Sequence, residues 1–299
     1  MATGSDSVTE LHHPGRSDLD LRSSRQLVDL INEEDATVAG AVRLAAAELA
    51  EAIDAIVARL AGGGRLVYVG AGSSGRLALV DATECGPTFG VPPEQVCAIV
   101  AGGALALGTA QEAAEDDEAA GQADVVAAVA GPADAVVLLS ASGRTPYTLG
   151  AARAAAAAGA LTVAVVCAQG SPLGALAAHE IAVVTGPEVI AGSTRMKAGT
   201  AQKLVLNTIS TVTMVRLGKT YGDLMVDVVA TNAKLRARVR RAVALATGAA
   251  GPEVEAALAA AGGEAKVAIV SLLAGIDAEA ARARLAAADG AVRRALAHD

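Results

Sequence analysis

Aromatic side chains are almost missing from this sequence. Its 299 residues include three tyrosines, one phenylalanine and no tryptophan. A core without rings has to be filled by Ala, Val, Leu and Ile, so helices and sheet are expected to pack closely. Base stacking on aromatic platforms is excluded as a main binding mode. Positive charge is also short: 24 Lys and Arg face 32 Asp and Glu, for a net charge of −8. That argues against nucleic acid or an anionic membrane as partner. Of the four histidines, His12, His13 and His298 lie near the ends and only His179 is internal, so histidine-based catalysis is not expected. The three cysteines, Cys85, Cys97 and Cys167, are scattered, with two in or beside apolar runs. They read as buried reduced thiols of a cytoplasmic protein rather than zinc ligands. Cys85 is expected to be structural, because no neighbour in sequence would activate its thiolate. No stretch of 18 residues is apolar without glycine or charge, so no membrane span is expected. Residues 1–20 are polar and carry no hydrophobic signal region.

What the chain does have is apolar mass, 53% hydrophobic residues, which excludes disorder for most of it. Residues 1–25 read as an irregular polar arm. A helical pattern runs from Asp35 to Leu60 and ends at Gly62-Gly63-Gly64. Short apolar runs at 65–69, 96–100, 135–139, 161–166 and 181–184 read as strands. Helical stretches at 104–120 and 145–158 separate most of them. This alternation predicts an α/β fold, a doubly wound parallel sheet with helices on both faces. After Lys197 no strand pattern remains; 197–217 and 221–247 read as long helices, and the rest as short ones. The expected division is an arm (1–35), a sheet domain (36–217) and a helical region (218–299) ending in a small bundle (248–299).

Five polar segments interrupt this pattern with candidate chemistry. Gly70-Ala71-Gly72-Ser73-Ser74-Gly75 follows a strand and opens a helix, the arrangement of a dinucleotide fingerprint. A dinucleotide site also wants an acid at the end of the second strand, and here that strand ends Val100-Ala101-Gly102-Gly103. Gly72, Ser73 and Ser74 offer N–H groups and two hydroxyls instead, which suits a compact phosphate. A tight turn that needs glycine is the plainer alternative. Ser140-Ala141-Ser142-Gly143-Arg144-Thr145 repeats the arrangement, and Ser140, Ser142 and Thr145 can all face one anion; helix capping is the alternative. Two such loops at the C-terminal ends of parallel strands describe a sugar-phosphate site better than a nucleotide site. Carboxyl groups come from Glu84, in the segment Asp81 to Pro87, and from the run Glu112 to Glu118, where spacing does not say which acids point inward. The cluster Glu188 to Thr200 adds Glu188, Ser193, Thr194 and Lys197 as binding candidates, with Arg195 and Lys197 able to pair with a substrate anion.

The segments GAGSSGRLALVDATECGPTFG (70–90), SASGRTPY (140–147), EVIAGSTRMKAGTAQKLVLNTIST (188–211) and KTYGDLMVDVVATNAKL (219–235) resemble the N-acetylmuramic acid 6-phosphate etherase family. That family stands in the sugar isomerase (SIS) superfamily beside the glucokinase regulatory protein. The resemblance runs from Thr9 to the C-terminus. It implies an SIS-type sheet domain with a small C-terminal all-helical domain. It also implies a lyase of N-acetylmuramate catabolism and peptidoglycan recycling, cleaving the lactyl ether of N-acetylmuramate 6-phosphate to N-acetylglucosamine 6-phosphate and D-lactate. Neither cofactor nor metal is implied, and the family pattern is a homodimer with sites near the subunit boundary. The family's acid/base glutamate, in a Thr/Ser-Glu-Cys motif, falls on Glu84. A second glutamate, in a Glu-Asp pair, falls on Glu115. The chain departs at His13, where the family commonly shows Asn, and at Gln111 to Ala114. The chemistry suits two carboxyls: an ionised one removes the proton on carbon 2, and a protonated one helps lactate depart from carbon 3. The main competing reading is a non-catalytic sugar-phosphate sensor of the regulatory-protein type. An aldose–ketose isomerase would not explain the 188–235 blocks, and an NAD-dependent oxidoreductase lacks its ribose acid.

Overall fold

The computed structural model describes residues 8–297, apart from 14–15, 110 and 129. They divide into two compact units, Met1–Ala82 with Glu94–Ser210, and Thr83–Pro93 with Thr211–Asp299. In the first unit, helices α1 (Ser24–Asp35), α2 (Val38–Leu44) and α3 (Ala46–Ala61) lead into strand β1 (Leu66–Gly70). The α1 helix lies where the sequence pattern predicts a polar arm. Ser23 and Gln26 cap it reciprocally, a capping box that a low apolar content hides. Helix α4 (Gly72–Phe89) follows β1, then β2 (Val96–Val100). The single helix expected over 104–120 is instead broken into α5 (Leu105–Gly108), α6 (Glu112–Glu115) and the start of α7 (Glu118–Ala127). Thr109 is extended, and the Asp117 side chain accepts from Ala120 N at 2.9 Å, starting a new helix rather than continuing an old one. Then come β3 (Ala135–Leu139), α8 (Pro146–Ala157), β4 (Leu161–Val166), α9 (Pro172–Leu176) and β5 (His179–Ala182).

The five strands are parallel in the order β2-β1-β3-β4-β5. Strands β1, β3 and β4 are buried along their whole length, as continuous apolar runs in a sheet covered on both faces must be. The chain leaves β1 towards β2 on one side and leaves β3 towards β4 on the other. The switch point is therefore the gap between β1 and β3, where ligands bind in open α/β sheets.

Close packing replaces aromatic filling. An added Cβ at Gly121 would lie 2.0 Å from Tyr147 O, and one at Gly150 would lie 2.0 Å from Glu118 O, so α7 and α8 touch backbone to backbone. The two tyrosines of this unit are fully buried, and each donates its hydroxyl to a carboxylate, Tyr68 to Asp81 at 2.9 Å and Tyr147 to Asp124 at 2.5 Å. Asp81, 4% exposed, also accepts from Asn207 Nδ2 at 2.7 Å and Ser210 Oγ at 3.1 Å on α10 (Lys197–Arg216). None of the three cysteines forms a disulfide among the described residues. Cys85 and Cys167 are buried, and burial pushes the Cys167 thiol up to about 12, away from reactivity.

In the second unit, strands β6 (Thr220–Tyr221) and β7 (Leu224–Met225) form a hairpin. This corrects the expectation of no strand after Lys197 and of a helix starting at 221. Gly222, at φ +59°, and Asp223 make the two-residue turn, and Gly-Asp between apolar residues is the signal that the helical pattern masks. Helices α11 (Ala233–Thr247), α12 (Gly251–Ala260), α13 (Ala265–Ala274), α14 (Ala278–Ala287) and α15 (Val292–Leu296) complete the unit. They enclose an aliphatic core that includes Val239, Val243, Ile269, Val270 and Val292. Asn232 and Asp277 cap α11 and α14, and left-handed glycines, Gly248 and Gly275, end α11 and α13. The guanidinium of Arg293 lies 5.2 Å from the ring centre of Tyr221. No single helix among the described residues is long and apolar enough to cross a membrane.

Candidate active site

The β1/β3 switch point opens into a cavity of about 690 Å³ within the first unit. One wall is built from two strand-to-helix loops. After β1, Gly72, Ser73 and Ser74 form the first turn of α4. After β3, Ser140, Ser142 and Thr145 line the entry to α8, with Pro146 at its first turn. The second loop is braced internally. Ser140 Oγ lies 2.9 Å from Thr145 Oγ1 and accepts from Gly143 N at 3.0 Å. Gly143 sits at φ +66°, where an added Cβ would lie 2.4 Å from Ser171, so only glycine fits this turn. Among the described residues Ser142 Oγ holds only a long bond, from Arg144 N at 3.2 Å. This wall presents hydroxyls and helix N-termini, a setting for a phosphate.

The opposite character comes from the broken helix region. Glu112, Glu115 and Asp116 line the cavity, and Glu10 of the N-terminal segment joins them. Glu115 Oε2 would stand 3.9 Å from a Cβ added at Gly72, so this carboxyl faces the first turn of α4. Partial burial, with Asp116 and Glu112 as like-charged neighbours, pushes the Glu115 carboxyl above the usual carboxylate range. Arg76 and Arg195 are the cations of the lining, and Ser193 and Thr194 complete it.

Three expected site residues are elsewhere. Glu188, 1% exposed, accepts from Lys197 N at 3.0 Å and Ala198 N at 2.9 Å, capping the start of α10. Lys197, 3% exposed, donates its ammonium to Glu34 of α1 at 2.5 Å, and Arg16 and His13 also face that carboxylate. These two hold the fold behind the loop 192–195 and do not line the cavity. Glu84 is exposed, about three turns along α4 from Ser73, and is not part of the lining either.

Two relatives place the chain. A protein of Rubrobacter xylanophilus named N-acetylmuramic acid 6-phosphate etherase is 58% identical over 289 residues, covering 97% of this chain and 95% of its own. One of the same name from Streptomyces avermitilis is 53% identical over 290 residues, covering 97% and 93%. The chain belongs to the N-acetylmuramic acid 6-phosphate etherase family. Models of the glucokinase regulatory protein N-terminal SIS domain and of the SIS domain match residues 48–156 and 103–211 of this etherase-family chain. A protein of E. coli CFT073, solved in complex with a ligand, shares the fold, with a TM-score of 0.50 at 18% identity, covering 68% of this chain and 97% of its own. The SIS matches thus cover the part of this etherase-family chain that holds the five-stranded sheet.

One residue of the etherase-family block 188–211 stands behind the cavity, and nothing about its place in the sequence singles it out. Gln202 is 2% exposed, its Oε1 accepts from Ser74 Oγ at 2.9 Å, and its Nε2 is buried without a hydrogen-bond partner among the described residues. Its position five residues into α10, between Ala201 and Lys203, reads as ordinary helix composition.

Proposed function

We propose that this chain cleaves the D-lactyl ether of N-acetylmuramate 6-phosphate with water, giving N-acetylglucosamine 6-phosphate and D-lactate. One observation carries this within an etherase-family chain: a single cavity combines a hydroxyl and helix-N-terminal wall with an acidic wall bearing Glu115. The phosphate rests on Ser73, Ser74, Ser142 and the N-termini of α4 and α8. Once the sugar ring opens, its aldehyde acidifies the proton on carbon 2. Glu115, ionised, removes that proton. Lactate leaves carbon 3 as its ether oxygen is protonated by Glu84. Water then adds to carbon 3 of the double bond, and a proton returns to carbon 2. Three cysteines outside any disulfide suit a cytoplasmic setting. The direct test is D-lactate release from the muramyl substrate with no nucleotide added. Binding of the sugar phosphate without any lactate would favour the non-catalytic sensor instead.

Glu84 is absent from the cavity lining of its own chain. In this reading the enzyme is a homodimer, and each cavity receives Glu84 from the second copy. The exposure of Glu84 and its place in the Thr83-Glu84-Cys85 motif support that arrangement.

Ser142→Ala removes a hydroxyl that the loop itself barely uses. The loss of a hydrogen bond to a charged group costs about 1.5–3 kcal/mol, so KM is expected to rise by roughly 10–150-fold with the fold intact. An unchanged KM would reject this placement of the phosphate. Gln202 acts on the same wall as a positioning residue. With its carboxamide turned over, Nε2 donates to Ser74 Oγ and frees the serine proton for the phosphate. Gln202→Glu can only accept from Ser74, and is expected to raise KM far more than it lowers kcat.

The pH dependence follows from Glu115. A carboxyl whose ionisation is pushed up stays protonated to higher pH, and a base must be ionised. Activity is therefore expected to fall, as pH is lowered, at a higher pH than an ordinary glutamate near 4.3 would give. Asp116→Asn removes a like charge and should shift that acidic limb of kcat/KM to lower pH. A limb that does not move would remove Glu115 from the role of base. Glu112→Gln is expected to leave turnover nearly unchanged.

A further inference from the structure

We propose that the helical unit carries a ligand site of its own, for a small anion with an apolar body. A cavity of about 870 Å³ lies wholly within that unit. Sites for small molecules span roughly 300–1,000 Å³. Its floor is aliphatic, made by Val226, Val239, Leu258, Val267 and Leu285. Its charge is concentrated. Lys266 Nζ donates to Asp227 Oδ2 at 2.6 Å, and Lys219 Nζ lies 3.2 Å from the same oxygen. Two ammonium groups thus share one carboxylate oxygen, and the trio keeps one unit of positive charge. The three side chains are only 27%, 19% and 11% exposed for Lys219, Asp227 and Lys266.

The rest of the rim does not cancel that charge. Arg240 pairs with Glu255 and Arg282 with Glu264, which leaves both pairs neutral. Arg236 also lines the cavity and forms no ion pair among the described residues. Lys219, Lys266 and Arg236 therefore face Asp227 alone, in a protein whose net charge is −8. Surplus positive charge drawn out of water is unfavourable until an anion joins it. Burial already holds the Lys266 ammonium below the usual lysine range, against the opposing pull of Asp227. The sequence block 219–235 supplies Lys219, Asp227 and Val226 to this cavity, and contributes nothing to the lining of the cavity between β1 and β3. A carboxylate or phosphomonoester with a short hydrocarbon body matches both halves of the site. The head meets Lys266 and Arg236, and the body covers the valines and leucines.

Calorimetric titration of the full chain tests this, with octyl phosphate and octanoate as probes and with octyl glucoside and inorganic phosphate as controls. Measured in Ser142→Ala chains, so that the serine loops between β1 and β3 compete little, one saturable site per chain is expected for an anionic probe, with both controls at least about tenfold weaker. The tighter of the two probes identifies the head group as phosphomonoester or carboxylate. Lys266→Met should weaken binding at least about tenfold, the effect of losing one charged hydrogen bond. Arg236→Glu is a surface change that leaves the core untouched, and should weaken binding as well, while Arg236→Lys retains it. Equal binding of octyl glucoside, equal binding of inorganic phosphate, or wild-type binding in both Lys266→Met and Arg236→Glu would overturn the proposal. Because binding is the readout, a chain that releases no lactate would sink the etherase reading and leave this one standing.

Discussion

Glu84→Gln is expected to lower D-lactate release by roughly 10²–10⁴-fold, the usual loss when a general acid/base is removed, with little change in sugar-phosphate affinity. Glutamine keeps the shape and removes the proton. Exchange of the carbon 2 proton with deuterated solvent should survive, because the proposed mechanism gives that step to Glu115. The lesion also tests the homodimer. Glu84→Gln and Glu115→Gln chains, each inactive alone, should recover roughly a quarter of wild-type activity when mixed and re-associated. Half of the dimers are then mixed, and one of the two equivalent sites in each is intact. If subunit exchange is demonstrated and no activity returns, Glu84 does not act across the subunit boundary. If Glu84→Gln alone releases lactate at a near-normal rate, the mechanism is wrong.

The largest expected effect on stability lies one turn earlier on the same helix. Asp81→Ala removes the acceptor shared by buried Tyr68, half-buried Asn207 and buried Ser210, and Ser210 keeps only a long bond to Asn207 O at 3.4 Å among the described residues. An unmet buried donor costs about 1–3 kcal/mol, and the three share one environment, so a total of about 3–5 kcal/mol is expected. Urea denaturation would show it as a lower midpoint with an unchanged slope. Asp81→Asn keeps one acceptor oxygen and should lose less than half as much. A loss under about 1 kcal/mol in Asp81→Ala would mean that the donors find other partners.

Much of the sheet was legible because its signal is local. The runs 96–100, 135–139 and 161–166 are apolar apart from Thr162, and the strands occupy those residues. The two hydroxyl loops were legible for the same reason, as each follows its strand directly. What failed was context. Nothing in 104–120 announces that Asp117 caps a new helix, yet that break places Glu112, Glu115 and Asp116 on the cavity wall. Glu188 and Lys197 have the residue types of a binding site, but their partners are Lys197 N and Glu34, one at the next helix and one distant in sequence. Glu10 lines the cavity from a segment with no pattern of its own, and Gln202 bonds Ser74 from behind it.

The scarcity of rings also makes this protein unusually easy to read by light. With no indole in the chain, its near-ultraviolet absorption and emission belong to phenols. Tyr68 and Tyr147 are fixed in the sheet unit and Tyr221 stands in the hairpin of the helical unit, so each unit carries its own chromophore. Tyr221→Phe would silence the helical unit and leave a spectrum that reports the sheet alone. A tryptophan introduced at the exposed Val229, which lines the cavity of the helical unit, would emit against a dark background. Occupancy of that cavity and the melting of each unit would then be separate optical signals from one sample.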